Sequence, residues 1–259
     1  MYTGWVLGNR SILLTGVLSL LGLVFYFRAL SEDDASSVII LFQMIPVLGL
    51  IFSFLFLGEI ISLKQFIGFV VVLLAAMRLS AFDEHEHVVR DVNNILHWKK
   101  KKGIHFSRAF YLMLGADIAV ASSNVLIKFA SQENSFTDIL IYESLGMFLG
   151  GLMYYGFAAS ARASFHENLL KVGPTVLGMM CVSELLFITA KATTFLALLG
   201  GPVALVSVLG STQVFYGVVF GVALTLLWPS VFKEDISKAN LKLKLGVGAV
   251  LILGLWLTQ

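Results

Sequence analysis

Eight separate runs of predominantly apolar residues, each about the length of a membrane span, constrain this chain more than any motif in it. They cover 11–30, 35–57 and 62–79, then, after a polar linker at 80–106, 107–130, 137–159, 174–199, 202–227 and 241–258. A spanning helix needs about 20 such residues. Backbone N–H and C=O groups in hydrocarbon must be satisfied within the protein, so helices are the solution these lengths allow. With 58% hydrophobic and 13% charged residues, the sequence is too apolar to form a hydrated globule. The predicted fold class is therefore an all-α membrane protein of about eight transmembrane helices, three before the linker and five after it. The opening MYTGWVLGNR lacks the layout of a cleaved signal peptide, and the run that follows it is long enough to span.

Lysine and arginine fall mostly on one side of this arrangement. Alternating the loops puts Arg28, Arg78, Arg90, Lys99 to Lys102, Arg108, Arg162, Lys171, Lys233, Lys238, Lys242 and Lys244 together, and leaves Arg10, Lys64 and Lys128 on the other side. The positive-inside rule then makes linker 80–106 cytoplasmic and both termini external, in what we expect to be the plasma membrane. Within the linker, Val88, Val92, Ile95 and Leu96 recur at helical spacing ahead of Trp98 and the lysine run, a pattern for a short interfacial helix or a solvated basic loop.

An internal repeat follows from comparing the segment that starts at Tyr26 with the one that starts at Thr194. Each carries an Ala-Leu pair near a helix end (Ala29-Leu30, Ala197-Leu198), a small-residue turn and a second helix bearing a glutamine, Gln43 or Gln213. Two such units separated by an odd number of spans face opposite ways, the inverted-repeat signature of secondary transporters. The combination Ala29, Leu30, Ala35, Ser36, Pro46, Leu57, Gly58, Glu59, Gln65, Ile67, Gly68 and Phe69 resembles the drug/metabolite transporter superfamily, specifically its EamA-type members. The resemblance implies ten helices as five plus five, a central cavity and alternating-access movement of small organic solutes. On it, residues 1–79 form a first half of three helices lacking the family's first two, 80–106 the linker, and 107–259 a second half of five helices. A truncated or shortened chain is the expectation. Family members commonly keep both termini in the cytoplasm, opposite to the charge bias here.

Ionisable groups at depth cost about 2.5–3.5 kcal/mol on insertion scales, so they tend to face a cavity or a partner. Asp117, Asn124 and Lys128 share one helix face, as do Glu184 and Lys191. With Gln43 and Gln213 as pseudo-symmetric amides, the expected cavity lining is Gln43, Asp117, Asn124, Glu184, Lys191 and Gln213. Interhelical hydrogen bonding is the alternative use of the same groups. Glu184, near the midplane, is the candidate for coupling a proton or binding a substrate amine, with a structural glutamate as the competing reading. Lys128 and Glu143, at matching distances from one turn, are expected to form a structural salt bridge. Pro46 is read as a kink within the second span, Glu59 as a cap or turn residue, Cys181 as a small buried hydrophobe, and Gly146 with Gly150 as a close-packing spacing.

No catalytic conjunction of nucleophile, base and oxyanion donors is present, and Asp83, Glu84, His85, Glu86 and His87 alternate in a linker without fixed metal geometry. The expectation is thus no enzyme activity, no cofactor, no metal and no nucleic-acid partner. The expected function is secondary-active transport of small metabolites or drug-like solutes. A proton or cation is the expected coupling ion, membrane lipids are partners, and a homo-oligomer is compatible with the sequence. The alternatives are flippase-like translocation of a lipid carrier and a truncated, non-transporting membrane protein.

Overall fold

The computed structural model describes residues 2–32, 41–83, 108–169, 171–227 and 238–258. These are helical with short turns between. In chain order they form α1 (Tyr2–Glu32), α2 (Met44–Phe52) prolonged by a π-helical turn (Ser53–Leu57), α3 (Leu63–Asp83), α4 (Arg108–Ala130), α5 (Phe136–Phe157), α6 (Ala159–Leu169), α7 (Pro174–Gly200), α8 (Val203–Gly210), α9 (Gln213–Leu227) and α10 (Lys238–Thr258). By length and composition, Ser11–Glu32, α4, α5, α7 and the stretch Val203–Leu227 suffice to cross a membrane, with Met44–Leu57 and Gly246–Thr258 as shorter apolar helices. Each of the eight apolar runs thus holds a helix. The linker readings at 84–107 lie outside the described residues.

Local chemistry sets the boundaries. α5 opens with a capping box: Ser135 accepts from the Asp138 N–H while Asp138 accepts from the Ser135 N–H and hydroxyl. The π-turn after α2 ends on Gly58 at φ +65°, a left-handed conformation that glycine reaches without a Cβ penalty. α7 begins on Pro174, whose missing N–H would lack an intrahelical acceptor in any case. α1 starts at Tyr2, ahead of the apolar run that begins at Ser11. Two sequence readings change. Pro46 does not kink a continuous helix, because α2 starts at Met44 and places it in the first turn. Cys181 is exposed on α7.

Two crossings bring backbones together. At the α1–α5 crossing a Cβ on Gly16 would collide with the main chain of Glu143 and Met147, and one on Gly146 with that of Leu13. Gly150 meets Val17 and Leu20 more loosely, while Gly151 faces open space. At the α3–α10 crossing a Cβ on Gly68 would lie 2.8 Å from Gly254 O and Thr258 N, and one on Gly254 2.8 Å from Val72 Cγ2. Lys64 reaches the Trp256 ring at 5.2 Å beside it. Glycine contacts of this kind give van der Waals packing where lipid offers no hydrophobic drive between helices. α4 is held to α1 by hydroxyls as well: Ser19 and Ser123 lie 3.2 Å apart, and Ser123 donates to Thr15 O at 3.2 Å. Buried clusters join α1, α4, α5, α7 and α8 around Ile12, Ile127, Ile139, Phe195 and Val203, and α3, α8 and α10 around Val72, Val208 and Leu251.

Candidate solute cavity

The second span of each repeat is broken beside its glutamine. Leu41 is helical, Phe42 and Gln43 form a turn, and α2 resumes at Met44 with Gln43 as its N-cap. In the other repeat α8 ends at Gly210, Ser211 and Thr212 form a turn, and α9 starts on Gln213. Discontinuous helices are tolerated at membrane depth where the freed backbone lines a cavity. A cavity is present at that point. Two adjoining chambers of about 300 and 380 Å³ share Phe42, Val120, Asn124, Thr194 and Gln213. The first adds Gln43, Pro46, Ser207 and Ser211; the second adds Ser19, Tyr26, Ser123, Phe187, Lys191 and Phe195.

Of the six expected lining residues, Gln43, Asn124, Lys191 and Gln213 border this space, and they come from α2, α4, α7 and α9. Gln43 is buried with its Oε1 lacking a hydrogen-bond partner. Thr193 and Thr194 donate to Thr189 O and Ala190 O of their own helix, which leaves their oxygens available as acceptors on the cavity side. Asp117 is fully buried and both its carboxylate oxygens lack a hydrogen-bond partner, but it does not border either chamber. Glu184 is exposed on the outer part of α7 and borders neither chamber. It shares a face with Lys191 by angle, but α7 packs against the bundle mainly near Phe195 and Leu198, so its earlier turns stand clear.

The ion pairing differs from the expected one. Glu143 is met by Lys191, not by Lys128; the side chains are 1% and 16% exposed. Lys191 also donates to Met147 Sδ at 2.9 Å and lies 5.4 Å from the Phe187 ring and 5.9 Å from that of Phe195. The physical reason lies in helix order: Lys128 emerges beside the end of α7, where two bare carbonyls attract it more directly than a carboxylate one helix further on. Lys128 Nζ donates to Leu198 O at 2.7 Å and Leu199 O at 3.5 Å. Opposite, Glu59 Oε2 accepts from the Val203 N–H at 2.8 Å, at the start of α8. Sequence reasoning assigned Glu59 a cap or turn role without its target. The target is a helix in the other half of the chain, and no local signal gives it. A carboxylate–backbone hydrogen bond from Glu59 and a lysine cap from α4 thus brace the hairpin at Gly200, Gly201 and Pro202.

Helices of this length and apolarity, broken in pairs around a cavity, define an all-α, multi-pass integral membrane protein. Residues 2–81, which hold α1 to α3, match the model of the EamA-like transporter family. Ala29 to Phe69, which carry the resemblance, lie within that match. No curated protein matches the chain. In three dimensions it superimposes on a crystal structure of a protein with a TM-score of 0.55 at 14% identity, over 97% of this chain and 86% of that one. At that identity the likeness speaks for the fold alone.

Proposed function

We propose that the protein is a secondary-active transporter of small metabolites or drug-like solutes, working by alternating access around the cavity described above. The observation that carries this reading is the pair of helix breaks at Gln43 and Gln213, one in each repeat and both on one cavity. Amides there offer donors and acceptors to a polar solute, and Asn124 adds a third. Residues 1–79 and 107–259 act as the two moving halves, with linker 80–106 on the cytoplasmic side of the plasma membrane and a proton or cation as coupling ion. Uptake into proteoliposomes from a broad solute panel tests it. At least one solute is expected to enter faster than into empty vesicles, and Gln43→Leu or Gln213→Leu to slow that uptake tenfold or more, as about 1.4 kcal/mol of lost binding would. A panel with no solute above the empty-vesicle rate overturns the proposal.

One observation favours a second reading. The larger chamber is lined by α1 and α7, and both helices expose leucines on their other flanks, Leu14 and Leu21 on α1 and Leu185 and Leu186 on α7, which suits a ligand approaching from the bilayer. Translocation of a fluorescent polyprenyl phosphate, with no movement of any water-soluble solute, would select this alternative.

A further inference from the structure

We infer that the cavity takes a small organic monoanion carrying an aromatic or similarly flat apolar group, and that Glu143 must take up a proton when the anion binds to Lys191. The inference rests on the transporter reading for the movement of the solute, and on the cavity geometry alone for its binding.

Lys191 brings a cationic side chain to the wall of the larger chamber. Its ammonium group has three N–H donors; Glu143 Oε1 takes one and Met147 Sδ another, which leaves the third for a cavity ligand. Behind it Glu143 is buried to 1% exposure, and its Oε2 has no hydrogen-bond partner. This pair is electrically neutral. An anion entering beside it would put one positive and two negative charges in a low-dielectric site, and an uncompensated buried charge is strongly unfavourable. A proton on Glu143 Oε2 removes that imbalance. Oε1 still accepts from Lys191, the proton comes from water, and the ammonium group turns its free N–H to the anion. Proton and anion then bind and leave together, one for one.

The surroundings agree with a negative ligand. The N-terminal ends of α2 and α9, at Gln43 and Gln213, both reach the cavity, and helix N-termini favour anions. Phe187 and Phe195 flank Lys191, and Tyr26 and Phe42 pack at 4.8 Å on the far side, so a flat apolar body has surfaces to lie on. The helices around this pair carry further charged groups. α7 itself adds Glu184, two turns away and exposed. α4 adds Asp117, buried, and Lys128, engaged with the Leu198 and Leu199 carbonyls. α1 packs on this stretch of α5 through Leu13, Gly16 and Val17, which carry no charge.

Binding of radiolabelled benzenesulfonate to the full chain in detergent tests this, since that probe keeps its charge over the working range. Affinity is expected to rise as pH falls, by up to about tenfold per pH unit for one linked proton. Glu143→Gln is expected to bind at all pH values with the acidic-pH affinity, and Lys191→Gln to lose the sulfonate tenfold or more while keeping benzenesulfonamide. The double variant Glu143→Gln with Lys191→Gln removes both charges and controls for folding by its monodispersity. No sulfonate binding to the wild type, a pH profile unchanged in Glu143→Gln, or a profile flattened by Asp117→Asn instead would overturn the inference. Sulfonate that binds as expected but does not enter proteoliposomes leaves the site reading standing and refutes transport.

Discussion

Replacing Lys128 by methionine removes one of the two braces on the 200–202 hairpin and should shift the protein toward a state open on that side. Lys128 Nζ sits 2.7 Å from Leu198 O and 3.5 Å from Leu199 O, at the C-terminus of α7. A hydrogen bond to a charged group contributes about 1.5–3 kcal/mol, and a cation at a helix C-terminus adds a few tenths to about 2. Taking about 1.5 kcal/mol as the part made only while the hairpin is closed, its loss changes the open-to-closed ratio roughly tenfold. Glu59→Gln weakens the second brace, at 2.8 Å from the Val203 N–H, by a comparable amount. The two contacts hold one hairpin, so the double variant need not give the full product of about 100-fold. The assay is thiol accessibility. Cys181, the only cysteine, is replaced by serine, and a cysteine is placed at Thr194 on the cavity. Its labelling by an impermeant maleimide is then timed from each side of sealed vesicles. Labelling from the hairpin side should accelerate about tenfold in Lys128→Met and slow from the opposite side. Rates within twofold of the parent in both single variants would refute the argument that these contacts hold the cavity shut.

Three further outcomes are expected. Gly146→Leu at the α1–α5 crossing must push Leu13's backbone away, an overpacking cost of about 1–3 kcal/mol or more, read as a fall of several degrees in detergent Tm by tryptophan fluorescence; an unchanged Tm would contradict the backbone contact. Ser135→Ala loses the capping box of α5 and should lower stability by about 1 kcal/mol, whereas Ser135→Asp should restore most of it in the same thermal assay. Gly58→Ala places a Cβ at φ +65° with open space around it, so its cost is backbone strain of about 1 kcal/mol; Gly58→Asn should cost less, and equal Tm values for the two would remove the conformational explanation.

The spans were legible because hydrocarbon sets a length that a run such as 107–130 either meets or does not, and α4 fills it from Arg108 to Ala130. The helix breaks were only half legible. Pro46 signalled a disturbance in the second span, and the turn at Phe42 and Gln43 falls where its ring removes the hydrogen bond to the Phe42 carbonyl four residues back, whereas the turn at Ser211 and Thr212 has no proline to announce it. What separates Gln43 and Lys191 from Asp117 and Glu184 is orientation relative to neighbours, and a sequence gives depth and angle along one helix only. The Glu143 partner shows the same limit: Lys128 and Lys191 are both at suitable depths, and the choice between them depends on how α4, α5 and α7 sit around one another. α6 escaped notice because its 11 residues are neither apolar enough to span nor patterned enough to stand out.

At Gly68 and Gly254, α3 and α10 come so close that a Cβ on either would clash, and Phe69, Val72 and Leu251 interlock beside that contact. A joint of that kind resists separation and rolling alike, since turning one rod on the other would pull the interlocked side chains apart. A pair fastened in this way moves as one body, so any rearrangement of the chain has to take place in the helices outside it.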